Sequence, residues 1–207
     1  MYSIPEFTVT DKQRIIEFIK ANPFAIITAN NPGSFPEATQ VPLHVFTKEG
    51  DIYFTGHIMS KTGHHKAFEA DKNVLVTFPG IQCYISASWY KKPNVASTWN
   101  YMTVFACGEL EFLNDTETIK ELKRITDVYE KDSEASFHKL PQDYVIHMAR
   151  AVIAFKIKVN KFHAIFKLSQ NHSDETRINI IRNLRERKEG NDLLMAEEME
   201  KELNSKK

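Results

Sequence analysis

The sequence lacks several of the signals that usually identify a protein class. It holds only two cysteines among 207 residues, and their positions form neither a zinc pattern nor a disulfide framework. Cys83 and Cys107 both stand among apolar and aromatic residues, so we expect two buried, reduced thiols in a cytoplasmic protein. No apolar run approaches the ~18 residues of a membrane span, and the first residues show no signal peptide, so no membrane partner is expected.

The chain also lacks a net charge, because 27 Lys and Arg balance 27 Asp and Glu. A protein that holds DNA through its overall electrostatic field needs clustered basic residues, so the charge balance argues against that mode of binding. A local basic patch, or DNA contact through another protein, stays open.

Motifs of the common enzyme classes are missing as well. The sequence has no Gly-x-Gly-x-x-Gly fingerprint and no phosphate-binding Walker loop. It also has no Gly-x-Ser-x-Gly elbow and no His-Glu-x-x-His pair. Rossmann, kinase and common hydrolase functions therefore have no support in the sequence.

Short apolar segments separated by turn residues are abundant, and they predict a mainly β, antiparallel fold with peripheral helices. The predicted strands are residues 24–28, 38–47, 52–57, 74–78, 83–88, 98–112, 153–159 and 162–168. The first predicted helix begins at a capping box opened by Thr10 and is stopped by Asn22-Pro23. The other predicted helices are residues 66–70, 115–129 and 141–148, one capped by Ser173 and one after Gly190, with further caps at Asp115 and Asp192. Gly108 is a candidate bulge. We expect a domain at residues 1–190 and a C-terminal helix and tail at 191–207.

Two aromatic clusters could carry a ligand. Residues 84–90 read Tyr-Ile-Ser-Ala-Ser-Trp-Tyr, and on a strand Tyr84, Ser86 and Ser88 share one face. Residues 98–101 read Thr-Trp-Asn-Tyr. Aromatic faces beside hydroxyls and an amide suit a flat heteroaromatic ligand. On composition alone, the aromatic core of a hairpin explains the same residues better.

A third cluster, residues 166–173, reads Phe-Lys-Leu-Ser-Gln-Asn-His-Ser and runs from a strand into a helix cap. Several donors around a helix N-terminus suit an anion, although simple capping by Asn171 or Ser173 also explains part of the pattern. The histidines at positions 57, 64 and 65 lack a third ligand at a suitable spacing, so no metal site is predicted.

In these three clusters the chain resembles the PaiB family of FMN-binding negative transcriptional regulators, whose pattern is approximately YISPSWY, TWNY and FKLSQNRS. The resemblance runs from the first residues to about Leu184. It implies a split β-barrel related to the pyridoxamine-phosphate oxidase and flavin reductase barrels. It also implies a homodimer with FMN at the protomer interface, and repression of genes for sporulation and secreted degradative enzymes.

Eight residues form the FMN site that this resemblance predicts: His57, Lys61, His64, Trp99, Asn100, Tyr101, Lys167 and Gln170. The first three are expected beside the phosphate and the next three beside the ring system. The last two are expected to donate hydrogen bonds from the other side or from the partner protomer. Apolar residues of the last helix, Leu194, Met195, Met199 and Leu203, are expected to help bury the dimer interface.

Three functions stay open at this stage. The first is a repressor that reaches DNA directly or indirectly. The second is a flavin-dependent reductase or oxidase, in which the cofactor carries the chemistry. The third is haem binding, because related barrels bind haem. Fold kinship alone does not choose between them, and whether the protein is an enzyme is left undecided.

Overall fold

The computed structural model describes residues 4–92, 94–131 and 133–205. The strands are β1 (Thr8–Val9), β2 (Phe24–Ala29), β3 (Glu37–Pro42), β4 (His44–Lys48), β5 (Asp51–Met59), β6 (Asn73–Ile85), β7 (Thr98–Phe112) and β8 (Val152–Lys167). The helices are α1 (Lys12–Ala21), α2 (Gly63–Ala70), α3 (Asp115–Glu130), α4 (Gln142–Ala149), α5 (Asp174–Arg187) and α6 (Asp192–Asn204). Short 3-10 turns lie at Pro5–Phe7, Ala87–Trp89 and Phe137–Lys139.

The strands of the described residues form one sheet in the order β3-β2-β6-β7-β8-β5-β4, and β1 pairs with β8. Strand β2 pairs antiparallel with β3 and β6, and β5 pairs antiparallel with β4 and β8. The predicted fold class, antiparallel β with peripheral helices, is confirmed.

The chain divides into two compact units. Unit 1 combines Met1–Phe18, Pro79–Val104 and His163–Lys207, and unit 2 combines Ile19–Phe78 and Phe105–Phe162. Strands β6, β7 and β8 each contribute residues to both units.

In unit 1, α5 packs against α6. The side chain of Ser173 caps α5 as predicted, because its hydroxyl accepts the Thr176 N–H at 3.4 Å. Met195, Met199 and Leu203 of α6 are buried within the chain, while Leu194 is exposed. The prediction that these residues help bury a dimer interface is therefore wrong for Met195, Met199 and Leu203, because their side chains are already buried within one chain. The domain boundary at residue 190 stays a prediction, and residues 206–207 of its tail lie outside the described residues.

In unit 2, the core is aromatic and β-branched. Phe54 meets Phe78 edge-on with ring centroids 5.1 Å apart, and both side chains are fully buried. Helix α3 is tied to β8 by the Thr118 hydroxyl, which accepts the Ala154 N–H at 3.2 Å.

Strand β6 runs unbroken where the sequence predicted two strands separated by Pro79 and Gly80. Pairing of β6 with β2 ends at Thr77. Pro79 lies beyond this point, so its lack of a backbone N–H costs no hydrogen bond to β2. Gly80 allows a close approach, because a Cβ there would lie 2.6 Å from Phe18 Cζ and 2.9 Å from the Met102 carbonyl oxygen. The proline and glycine thus mark the end of one pairing and a tight contact, and the predicted break is wrong.

Three further strand boundaries differ from the prediction. The predicted strand 83–88 ends at Ile85, because the Ser86 hydroxyl accepts the Ser88 N–H at 3.2 Å and caps the 3-10 turn, so Tyr84, Ser86 and Ser88 do not share one strand face. The predicted strand 38–47 is divided at Leu43, whose N–H leaves the ladder and donates to the Pro23 carbonyl at 2.8 Å. Conversely, β8 continues through the exposed Asn160 and Lys161, where the sequence predicted a break between two strands. Gly108 lies inside β7, where a Cβ would come within 2.4 Å of the Lys158 carbonyl oxygen, so close approach of β8 explains the glycine.

Three caps are shifted by one residue from their predicted positions. Asp11, not Thr10, accepts the Gln13 N–H at 2.8 Å at the start of α1. Asn114, not Asp115, accepts the Glu117 N–H at 3.0 Å at the start of α3. At α6 the cap position is Asn191, and the Asp192 carboxylate binds an arginine.

The two cysteines differ in environment. Cys83 is buried, as predicted, but Cys107 is exposed on β7, because its position in the strand alternates with buried Ala106 and Gly108. The expectation that both thiols are buried is therefore wrong for Cys107. Within the described ranges, no helix combines the length and the apolar character that a membrane span requires.

Candidate functional site

Strand β7 separates the predicted ligand residues of unit 1 onto two faces. Successive side chains of a strand point to opposite faces, so Trp99 and Tyr101 lie on one face and Thr98 and Asn100 on the other. Burial follows the same alternation, because Trp99 is 55% exposed whereas Asn100 is fully buried. The three residues predicted to flank one ring system therefore do not share one face.

An exposed aromatic pair forms the first face. The rings of Tyr84 and Trp99 meet edge-on with centroids 6.0 Å apart, and both are exposed large side chains. The backbone of Tyr84 is held in place, since Arg187 Nη2 donates to its carbonyl oxygen at 2.8 Å. This face offers an aromatic surface in a fixed position for a flat ring to contact.

Asn100 has a structural partner on the second face. Its Nδ2 donates to Ser169 Oγ at 3.0 Å, and the Ser169 hydroxyl donates back to Asn100 Oδ1 at 3.2 Å. Both residues are buried, and Ser169 adopts a left-handed φ of 62°. The amide therefore fixes the turn after β8.

Gln170 is also engaged by the backbone of its own chain. Its Nε2 donates to the Phe166 carbonyl oxygen at 2.5 Å, and its Oε1 accepts the Leu168 N–H at 2.7 Å. Both ends of the amide stabilise the turn that carries the third cluster. Ligand contact by Gln170 stays a prediction.

Lys167 lines a cleft of about 540 Å³ in unit 1, which we call the Lys167 cleft. Its described lining residues are Ile4, Glu6, Phe7, Tyr90, Val95, Ala96, Ser97, Thr98, Lys167, Ser169, Asn171 and His172. Lys167 Nζ donates to Thr98 Oγ1 at 2.5 Å and lies 5.9 Å from the centroid of the Phe7 ring. Burial lowers the pKa of the Lys167 ammonium.

His172 and Tyr90 form another wall of this cleft, with ring centroids 4.7 Å apart. Burial lowers the pKa of His172, and the positive charges of Lys92 and Lys167 lower it further. Burial raises the pKa of the Tyr90 phenol. The sequence motifs contained both residues, but only the fold shows that the loop after Tyr90 and the turn after Lys167 meet.

The three predicted phosphate ligands all lie in unit 2. His57 is half-buried on β5, and burial lowers its pKa, with Glu121 raising it and Arg124 lowering it. Lys61 is exposed in a left-handed conformation with φ of 63°, and its N–H donates to His65 Nδ1 at 2.9 Å. His64, in the first turn of α2, has a buried Nε2 with no hydrogen-bond partner among the described residues.

The fold is an antiparallel split β-barrel of the flavin-binding kind. The FAD and haem binding protein from Mycobacterium smegmatis matches with a TM-score of 0.60 at 14% identity, over 83% of this chain and 78% of that one. The flavocytochrome Anf3 from Azotobacter vinelandii matches with a TM-score of 0.56 at 14% identity, over 77% and 69% of the two chains. At such identities the likeness concerns the fold alone.

The chain belongs to the family described as "Putative FMN-binding domain", whose model matches residues 1–161. It is 36% identical over 205 residues to the "Protease synthase and sporulation protein PAI 2" of Bacillus subtilis (strain 168), covering 98% of each chain. The predicted resemblance to the PaiB family is confirmed.

The chain contains residues that fit FMN. The flat ring needs an exposed aromatic face, which Trp99 supplies in unit 1. The phosphate needs donors or cations, and in unit 2 the buried Nε2 of His64 is without a partner while the Lys61 ammonium is exposed. The family match supports FMN as a cofactor, and each unit taken by itself contains residues that fit one part of the molecule.

Proposed function

We propose that this protein is an FMN-binding negative regulator of genes for sporulation and secreted proteases, working as a cytoplasmic homodimer. The match to the Bacillus protein over 98% of both chains carries the proposal. FMN when bound would supply one- and two-electron redox chemistry, so occupancy or redox state could link metabolism to repression.

Within this proposal the chain's residues bind and orient the flavin. Trp99 stacks on the ring, and Tyr84 supports the Trp99 ring edge-on. Separately, within unit 2, His64 Nε2 is our candidate donor to a phosphate, with Lys61 and His57 contributing positive charge or hydrogen bonds.

Titration of FMN against the purified protein, followed by flavin fluorescence, tests the cofactor. We expect saturable binding that weakens about 10-fold in Trp99→Ala, since aromatic stacking contributes ~1.4 kcal/mol. Phe35→Ala is the matched control, because Phe35 is an 87% exposed aromatic outside the predicted site. Equal affinity in Trp99→Ala and wild type would remove Trp99 from the site.

The same titration tests the phosphate contact. His64→Ala should weaken FMN binding while leaving riboflavin binding unchanged, because riboflavin lacks the phosphate. His138→Ala, which removes an exposed histidine from a 3-10 turn, is the control. A parallel loss for both flavins would contradict the phosphate role.

Gene deletion tests the regulatory role. Loss of the gene should raise extracellular protease and sporulation, and the wild-type gene should restore repression. Unchanged expression would overturn the proposal. Binding of the purified protein to upstream DNA, measured with and without FMN, distinguishes direct repression from action through another protein.

Size-exclusion mass measurement tests the homodimer. The exposed Tyr84 and Trp99, and Leu193 and Leu194 of α6, provide apolar surface for a second copy. A monomer at all micromolar concentrations would contradict this part of the proposal.

Flavin-dependent oxidoreduction is a second candidate, favoured by the exposure of Trp99, which would leave one side of a stacked ring open to a second substrate. NAD(P)H oxidation faster than with free FMN would support it, and a rate equal to that of free flavin would exclude it.

A further inference from the structure

The ammonium of Lys167 lacks an anionic partner. Its hydrogen bond goes to the neutral Thr98 hydroxyl, and within the described ranges 4–92, 94–131 and 133–205 no carboxylate lies within ion-pair distance of Nζ. A half-buried charge without a counter-charge is costly. The protein therefore maintains an uncompensated cation in the wall of a cleft.

The surroundings add to the positive character of this cleft. The positive charges of Lys92 and Lys167 both lower the pKa of His172, which itself lines the cleft. Among the described residues that line the cleft, Glu6 alone carries a carboxylate, and its side chain is exposed. An exposed carboxylate is screened by water and compensates a half-buried ammonium poorly.

The remaining lining residues suit a small organic molecule. Ile4, Phe7 and Val95 are apolar, whereas Ser97, Thr98 and Asn171 offer hydroxyl and amide groups. The volume of about 540 Å³ falls within the range of small-molecule sites. A ligand with an apolar body and one anionic head matches this set.

The cleft is distinct from the aromatic face proposed for the flavin ring. Thr98 contributes to the cleft, and its neighbour Trp99 points to the opposite face of β7.

We propose that the Lys167 cleft binds a small organic oxyanion, a carboxylate or a phosphate ester, at a site separate from the flavin. Lys167 Nζ and the Thr98 hydroxyl contact the anionic head, and His172 with Tyr90 forms a side wall. The inference goes beyond flavin binding, since it gives the protein a second ligand of its own.

Benzoate, phenyl phosphate and neutral benzamide are the probes. Acetic anhydride modifies exposed lysines, and mass spectrometry reports the extent at each one. In the wild-type protein, benzoate or phenyl phosphate should protect Lys167 and leave Lys91 unprotected, whereas benzamide should protect neither. Which of the two anions protects better identifies the head group, carboxylate or phosphate. Equal protection by benzamide, or no protection by either anion, would overturn the proposal.

Variants give the second measurement. Lys167→Met should weaken binding of the better anion about 10- to 100-fold, as expected for loss of a charged hydrogen bond, and Lys167→Arg should retain most of it. Lys91→Met, which removes an exposed lysine paired with Glu175, should have no effect. Unchanged anion binding in Lys167→Met would contradict the assignment.

The His172 imidazole provides a signal that a purely structural role of Lys167 would not change. In nuclear magnetic resonance titrations, the better anion should raise the pKa of His172, because it neutralises a nearby positive charge. The resemblance predicts that Lys167 contacts FMN, whereas the second-ligand proposal predicts equal FMN binding in Lys167→Met and wild type, so this variant distinguishes the two. Loss of FMN binding in that variant would show that the cleft is part of the flavin site and would overturn the second-ligand proposal, while the FMN proposal would survive.

Discussion

The guanidinium of Arg187 binds the carboxylate of Asp192 through two hydrogen bonds, Nε to Oδ2 and Nη2 to Oδ1, each 2.6 Å long. Asp192 is 1% exposed, and the Arg187 guanidinium also lies 4.7 Å from the centroid of the Trp89 ring. With its bond to the Tyr84 carbonyl, one side chain connects the end of α5, the start of α6 and the end of β6. The position of the exposed aromatic face thus depends on a bidentate ion pair.

Replacing Asp192 by Asn should lower the free energy of unfolding by about 3 kcal/mol, because it removes the buried carboxylate and leaves Arg187 only the exposed Glu189, 3.8 Å away. Urea denaturation measures the change. Glu186→Gln is the control: Glu186 and Arg182 are both well exposed and 3.9 Å apart, so their pair should contribute less than about 0.5 kcal/mol. A similar small loss in both variants would show that the Asp192 pair does not stabilise the fold.

Stability should fall in acid through the same pair. Burial by itself would raise the pKa of Asp192, but hydrogen bonds from Arg187 and the Glu189 amide, with the Arg187 charge, hold that pKa below its ordinary value. A depressed carboxyl pKa contributes stability above about pH 4, and that stability is lost as the pH falls through the folded-state pKa. The difference in unfolding free energy between wild type and Asp192→Asn should therefore shrink below about pH 4. A difference independent of pH would contradict this linkage.

The two thiols should differ sharply in reactivity. Burial raises the pKa of Cys83 to about 12, whereas Cys107 is exposed. Ellman's reagent at mildly alkaline pH should modify one thiol in the native protein and both in urea. Cys107→Ser should abolish the native reaction, and rapid native modification of Cys83 would show that β6 opens.

Asn100 should contribute to stability more than to ligand binding. Asn100→Ala leaves the buried Ser169 hydroxyl without its partner and should lower the unfolding free energy by about 2 kcal/mol. The double variant with Ser169→Ala should lose less than the sum of the single variants, because the two residues bond each other. Weaker FMN binding in a fully stable Asn100→Ala would instead place the amide against the flavin.

Much of the fold could be predicted from local patterns. Period-two burial in β5 and the Ser173 cap are features that short segments determine by themselves. The boundaries between strands could not be predicted in the same way. Pro79 and Gly80 are typical of a turn in the local sequence. They are compatible with a continuous strand because the pairing with β2 ends before them and the Phe18 ring lies close to Gly80. The break at Leu43 likewise depends on a distant carbonyl, that of Pro23.

The sequence proposes candidate site residues, but it does not determine how the tertiary fold arranges them. Because successive side chains of a strand point to opposite faces, the sequence alone is enough to place Trp99 and Asn100 on opposite faces of β7. The Lys167 cleft could not be found in this way, because it needs Phe7, Tyr90 and Lys167, which come together only through the tertiary fold. The engagement of Gln170 by Phe166 and Leu168 also depends on the turn that only the structure shows.

Unit 1 is built from three separate stretches of the chain, so it cannot be completed until the last of them has been synthesised. Thr8 of β1 pairs with Ile165 of β8, so the first strand emerges from the ribosome long before its partner exists. Unit 2 draws on residues 19–78 and 105–162 and can begin to assemble during translation, whereas β1 must wait for the last stretch of the chain. Premature termination before residue 163 would therefore leave the N-terminal segment, including Phe7 of the Lys167 cleft, without the strand it pairs with, and such a fragment would be a substrate for chaperones and proteases.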